Sequence, residues 1–398
     1  MFAPFRVAMN QKFQGEGLVG IVENVDPNGL LEYSVVFTDR SLNSMSKSFQ
    51  QVIRDISAGM KEVYQAEACV LIPGGGTFAM EAIARQFGGG QDCLVVRNGW
   101  FSYRWSEIFE KGGFAKRTKV MCAGQTGAVS GQNSYKPFLP AAIEEVVAEI
   151  KSFQPGLVCA PHVETSAGMM LPDDYIQAIA DAAHEAGALF VLDCVASGAL
   201  FVDMAKLGVD ILLTAPQKGW TSTPCTGVVM LGSRAVAKLA DTNSSSYVCD
   251  VAKWHAIMQA YENGGHAYHA TMPTDGLVTF RDAIAETRAF GFEQARQAQI
   301  ELGRQMRALM ESHGFVSVAA KGFQAPSVIV SFTNDPEMKS GKKFMQQGVQ
   351  IAAGVPLQVG EGEEYMSFRI GLFGLDKLMN IDRTVSLFEK ALTQVETA

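Results

Sequence analysis

Between about residues 55 and 235 the chain alternates short apolar runs with stretches of helical periodicity, and no other feature narrows its fold as much. The runs fall at 69–72, 93–96, 118–122, 157–161, 188–192, 211–213 and 228–231. Each has strand length and leans towards β-branched residues. Between them, Ile143, Val146, Val147 and Ile150 sit at i, i+3, i+4 and i+7, one apolar face of a helix. Ile176, Ile179, Ala180 and Ala183 repeat that spacing after Pro172-Asp173, a helix start. This alternation predicts an α/β fold: a mostly parallel seven-stranded sheet with helices on both faces. Such sheets take their ligands at the carboxyl ends of the strands.

After about residue 280 the pattern changes. Residues 280–313 read as one long polar helix stopped by Gly314, then come strands at 327–332 and 367–371, and the last twenty residues read as a closing helix. A chain of 398 residues suits two unequal domains. The expected division is an N-terminal segment over 1–54, a large ligand-binding domain over 55–279, and a smaller carboxyl-terminal α+β domain over 280–398.

Hydrophobic residues make up 47% of the chain, enough for a large core, and the net charge is -8. An acidic balance argues against nucleic acid as a partner. No apolar run of about 18 residues predicts a membrane span, and the amino terminus lacks the apolar core of a signal peptide. The seven cysteines (69, 93, 122, 159, 194, 225 and 249) are scattered and form no CxxC pair. They are expected to be reduced, buried thiols of a cytoplasmic protein.

Two strands end in charge. The run 189–192 leads into Asp193, and 211–214 leads through Ala215-Pro216-Gln217 to Lys218. Both side chains should therefore stand at the ligand edge of the sheet. A pyridoxal phosphate site needs this pair: a lysine amine to bond the aldehyde, and a carboxylate to face the protonated ring nitrogen. Lysine suits the task because partial desolvation frees its amine as nucleophile and base. Taken alone, the two residues are as readily an exposed surface pair. A third element lies at Gly74-Gly75-Gly76-Thr77, after a strand and at the opening of a helix. Glycines there let backbone amides approach a phosphate. The loop is neither GxGxxG nor GxxxxGK[ST], which speaks against dinucleotide or ATP binding.

Seven motifs then occur in order: GGGTFAMEA (74–82), NGWFSYR (98–104), HVETSAG (162–168), VLDCVASG (191–198), APQKGW (215–220), YHATMP (268–273) and FRIGLFG (368–374). From about residue 60 to the end the chain resembles the fold-type I, class V aminotransferases, most closely the alanine–glyoxylate and serine–pyruvate group. The resemblance implies pyridoxal 5'-phosphate as cofactor, with Lys218 as the Schiff-base lysine, Gln217 on the phosphate side and Asp193 as partner of the ring nitrogen. It places Val195 against one face of the ring, Phe101 as the stacking aromatic, Thr165 on the ring hydroxyl, and Gly75, Gly76 and Thr77 around the phosphate. Relatives often carry histidine where Thr77 stands. Arg369 resembles the arginine that holds the substrate carboxylate, a role its planar fork suits. Its neighbours Phe368 and Ile370 suggest a buried strand, where an unpaired arginine would be costly. Tyr268 and Thr271 resemble residues that reach the phosphate in the neighbouring subunit, which implies a homodimer with shared active sites.

The implied reaction is ping-pong transamination through pyridoxamine phosphate, between a small amino acid of alanine or serine type and a small 2-oxo acid of glyoxylate or pyruvate type. An aminoethylphosphonate aminotransferase, or a class V lyase or desulfurase, is the alternative. The stretch 320–360 lacks the cysteine a desulfurase would use. His162-x-Glu164 has no further ligand at metal spacing, so no metal is expected and Glu164 is taken to order the cofactor's surroundings. The family usually opens on a glycine-proline-rich segment that lines the substrate pocket. This chain has FQGEGLVG at 13–20 and a leader through Tyr33 instead, so the mouth of its pocket is expected to differ.

Overall fold

The computed structural model describes residues 25–26, 30–127 and 135–397. The segment at 13–20 lies outside the described residues. The seven apolar runs become the seven strands of one sheet: β1 (Ala68–Pro73), β2 (Asp92–Arg97), β3 (Arg117–Cys122), β4 (Leu157–Pro161), β5 (Leu189–Asp193), β6 (Ile211–Thr214) and β7 (Thr226–Leu231). Their order is β1-β7-β6-β5-β4-β2-β3. The pairs β6–β5, β5–β4, β4–β2 and β2–β3 are parallel, and only β7 runs against its neighbours. Every residue of β4, β5, β6 and β7 is buried. That explains their unbroken apolar runs, since helices cover both faces of a parallel sheet.

Helices occupy the gaps: α1 (Lys47–Tyr64), α2 (Gly76–Phe87), α3 (Trp100–Gly112), α4 (Ile143–Phe153) and α5 (Asp173–Glu185). Of the expected apolar face of α4, Val146 and Ile150 are fully buried while Ile143 and Val147 are half-buried against the same core. The long helix expected over 280–313 is instead two, α6 (Thr274–Phe290) and α7 (Phe292–Ser312). Gly291 divides them with φ of 103° and ψ of 122°, a backbone conformation no helix contains and only glycine adopts freely. The polar pattern continues through the break, and so hid it.

Beyond α7, β8 (Val328–Phe332), β9 (Ala352–Ala353) and β10 (Ser367–Gly371) form an antiparallel sheet in the order β8-β10-β9. A final helix spans Ile381–Thr397. Side chains alternate across these strands. Ile329, Phe368 and Ile370 pack in a core with Leu302, Met306 and Leu392. Val328, Val330 and Phe332 pack on the other face with Phe138, Ala167 and Met169, from the segments beside the large sheet. By the same alternation Arg369 lies on that second face.

Five cysteines are buried as expected. Cys122, at the end of edge strand β3, is exposed, and Cys249 is half-buried. Edge strands have one side open to water, which the apolar run around Cys122 does not reveal. No helix among the described residues is long and apolar enough to cross a membrane.

Candidate active site

At the carboxyl ends of the parallel strands lies a cavity of about 250 Å³, and twelve residues line it. Eight are residues expected from the sequence: Gly76, Thr77, Phe101, Thr165, Asp193, Val195, Gln217 and Lys218. They come from the ends of five different strands or the segments that follow them. Asp193 is the last residue of β5, and Lys218 follows the end of its neighbour β6.

Asp193 is 8% exposed, and Oδ1 accepts one hydrogen bond, from the Val195 amide at 3.0 Å. Burial pushes its carboxyl up to about 7, against that hydrogen bond. The ionised carboxylate therefore wants a cation beside it. Lys218 Nζ sits 5.5 Å from the centre of the Phe373 ring. Burial lowers its basicity, and the Arg369 and Arg104 guanidinium groups lower it further. A lysine so placed gives up its proton more readily than one in water, which is what a nucleophile and base requires.

The cradle side is built by α2. Its first residue is Gly76, and its first turn carries no acidic side chain. The first amides of a helix have no partner inside it and present partial positive charge. Glycine is needed at position 76, because an added Cβ would stand 2.8 Å from Val195 Cγ2. Gln217 Oε1 is buried without a hydrogen-bond partner.

Phe101 is held from beneath. Glu164, wholly buried, accepts from the amides of Phe101 (3.2 Å), Ser102 (2.9 Å) and Ser166 (3.1 Å) and from both serine hydroxyls (2.7 Å each). This carboxylate from another segment thus caps α3, where the helix dipole favours it. That is the ordering role the sequence suggested for Glu164. His162 Nδ1 is 2.8 Å from Ser197 Oγ, and burial pushes its imidazole down to about 4. Among the described residues no group of three or more His, Cys, Asp or Glu could hold a metal.

Four expected residues do not line the cavity. Gly75 is the residue just before α2. Arg369 borders it, with its guanidinium 5.4 Å from the Phe101 ring centre and Nε donating to the Ala353 carbonyl at 2.8 Å. Tyr268 and Thr271 are exposed, and their hydroxyls lie 3.3 Å from one another. Four lining residues went unassigned in the sequence: Met80, Arg104, Val163 and Ala196. Arg104 stands inside NGWFSYR, one helical turn beyond Phe101, and that i+3 spacing could have found it.

These features meet in a model of the class-V aminotransferases, which matches residues 30–356. The chain belongs to this family. It is therefore a pyridoxal phosphate enzyme of aminotransferase type. A 2-aminoethylphosphonate–pyruvate transaminase of Paraburkholderia xenovorans is 27% identical over 345 residues, covering 84% of this chain and 86% of that protein. Another from Vibrio parahaemolyticus is 27% identical, covering 87% and 89%. Among solved structures, an alanine–glyoxylate aminotransferase from Nostoc sp. superposes with a TM-score of 0.73 at 21% identity, covering 88% of this chain and 89% of that one. The family fold is thus the one described above, mostly parallel with its single antiparallel strand.

The residues fit the cofactor. Among the described residues the buried Asp193 carboxyl has no cation within ion-pair distance, the buried Gln217 amide oxygen has no donor, the Lys218 amine has no carboxylate, and the start of α2 carries no acidic side chain. When bound, pyridoxal phosphate supplies an aldehyde that takes up amino groups and a ring that draws electrons from the substrate's Cα.

Proposed function

We propose that this protein transfers an amino group from a small primary amine donor to a small 2-oxo acid, in two half-reactions at one site. One observation carries the reading: Lys218 and Asp193, from the ends of neighbouring strands, line the same cavity as the Gly76-Thr77 helix start. Lys218 Nζ anchors the cofactor between turnovers. With the donor's amino group held by the cofactor, the freed Lys218 amine would take the proton from the donor's Cα and release it to the cofactor's former aldehyde carbon, across the shared nitrogen, acting as base and then acid. Asp193 offers its negative charge to the ring nitrogen and favours that nitrogen's protonated form. Phe101, Val195 and Thr165 line the cavity that would hold the ring, the first two as packing surfaces and the third as a hydrogen-bonding hydroxyl. Gly75, Gly76, Thr77 and Gln217 hold the phosphate, and Arg369 pairs with the anionic end of the substrate. Residues 55–279 form the cofactor-binding body and 280–398 the smaller domain.

Two donor classes follow. Alanine or serine with glyoxylate or pyruvate is the first. The second is 2-aminoethylphosphonate with pyruvate, which the names of the curated relatives favour. In a homodimer, Tyr268 and Thr271 would serve the partner's phosphate, consistent with their exposure away from this chain's own cavity. Unpaired cysteines suit a reducing cytoplasm.

The test is spectral. Wild-type protein reconstituted with pyridoxal phosphate should show a visible absorption band that each true donor bleaches and a 2-oxo acid restores. Lys218→Ala should lose covalent attachment and at least ~100-fold in turnover, the low end for a positioned acid–base group. A Lys218→Ala protein that keeps the wild-type band and rate would end the proposal.

A further inference from the structure

Arg104 has no place in the assignment above, yet it lines the cavity beside Lys218 and Thr77. It projects from α3 one turn beyond Phe101, and its guanidinium lies 4.7 Å from that ring's centre. Its Nη1 donates to Thr77 Oγ1 at 3.1 Å. Among the described residues no carboxylate stands within ion-pair distance of it, although 18 such pairs occur elsewhere. A half-buried guanidinium held against a helix start, with no anion of its own, is incomplete in chemical terms. Arg369, the other guanidinium near Phe101, is tied instead to the Ala353 carbonyl of the small sheet.

The Thr77 hydroxyl has one proton to give and two lone pairs to fill. Because Arg104 donates to it, one lone pair is occupied and the hydroxyl proton is free to point at a third group. The same helix turn offers the open amides of Gly76 and Thr77. A charged fork, a polarised hydroxyl and the first amides of α2 thus belong to residues that line one cavity at the start of that helix. We propose that Arg104 is a phosphate-binding residue of this site, which acts directly and through Thr77 as one unit on the cofactor's phosphate dianion. This inference rests on the pyridoxal phosphate reading and adds to it a residue that reads the phosphate rather than the ring.

The experiment uses the purified apo-protein and three probes: pyridoxal phosphate, pyridoxal and inorganic phosphate. Wild type should bind pyridoxal phosphate far more tightly than pyridoxal, and inorganic phosphate should compete. In Arg104→Gln the dissociation constant for pyridoxal phosphate should rise about tenfold or more, as expected when a charge-assisted hydrogen bond is lost. Pyridoxal binding should stay within about twofold, and competition by inorganic phosphate should weaken in parallel. Arg104→Lys, which keeps the charge and loses the fork, should fall between. In a Thr77→Val background, Arg104→Gln should cost clearly less than in wild type, because the two act as a unit. Circular dichroism at matched temperature shows that each variant is folded. Equal losses for pyridoxal and its phosphate, no loss in Arg104→Gln, or fully additive losses in the double variant would overturn the proposal. Failure of wild type to bind pyridoxal phosphate at all would instead overturn the reading beneath it.

Discussion

Replacing Asp193 by asparagine should flatten the pH dependence of the apo-protein's stability. The carboxyl is buried and titrates at about 7 in the folded chain, against roughly 3.9 in an unfolded one. The folded state thus holds a proton that the unfolded state has already lost between those values. Stability from this group is fully present below pH ~4 and is lost as pH rises through ~7. Three pH units correspond to about 4 kcal/mol at roughly 1.4 kcal/mol each. Most of this, about 3 kcal/mol, should be lost between pH 5 and pH 9. Asparagine has nearly the same shape and does not titrate in that range, so other groups cancel in the difference between the two proteins. Urea titrations of wild-type and Asp193→Asn apo-protein at several pH values would measure it. The wild-type advantage should shrink steadily as pH rises, and adding pyridoxal phosphate to wild type should restore part of it at pH 8, because a ring cation then faces the carboxylate. Parallel pH profiles for the two apo-proteins would refute the argument, since they would mean that the carboxyl titrates near its ordinary value.

Three further outcomes follow from particular contacts. In Glu164→Gln, an amide NH₂ must face backbone and hydroxyl donors that a carboxylate now accepts; the loss should be about 2–4 kcal/mol in denaturation midpoints, with weaker cofactor binding as Phe101 loosens. Gly76→Ala should weaken pyridoxal phosphate binding through the 2.8 Å contact with Val195. Adding Val195→Ala should recover part of that loss, and no recovery would show that the contact is not the cause. Gly291→Ala, at a φ of 103°, should destabilise the protein by about 1–3 kcal/mol without changing cofactor affinity, as thermal melts and spectral titration can separate.

The sequence spoke clearly where burial was complete and less clearly where geometry was local. The four central strands β4 to β7 were the most legible because both faces are covered, so apolar residues run almost without interruption. Asp193 and Lys218 were legible for the opposite reason: Asp193 ends such a run, and Lys218 follows one after a short turn. Gly291 was not, because a single glycine in a polar helical pattern usually passes as a weak helix residue. Arg104 was missed because its significance depends on Thr77, 27 positions earlier, being brought within 3.1 Å by the packing of α2 beside α3. The cap of α3 by Glu164, from 63 positions away, escaped a full account for the same reason.

The charges of the site suggest why its parts are held so differently. Among the described residues Lys218, Arg104 and Arg369 have no carboxylate within ion-pair distance, and burial, with the two guanidinium groups beside it, lowers the basicity of Lys218. Glu164 accepts five hydrogen bonds from the α3 start and the Ser166 turn. Its negative charge acts on Arg369, one cation of the three. Asp193, the other acid, is buried and costly to ionise alone. A cofactor that brings a phosphate dianion to one end and a ring cation to the other offsets both imbalances at once. The apo site should then be less stable at low ionic strength, where like charges repel most, and at neutral to alkaline pH, where the buried Asp193 carboxylate is ionised with no ring cation to face. Pyridoxal phosphate should protect it there far more than pyridoxal does, and equal protection by the two would show that the excess positive charge is not what the phosphate relieves.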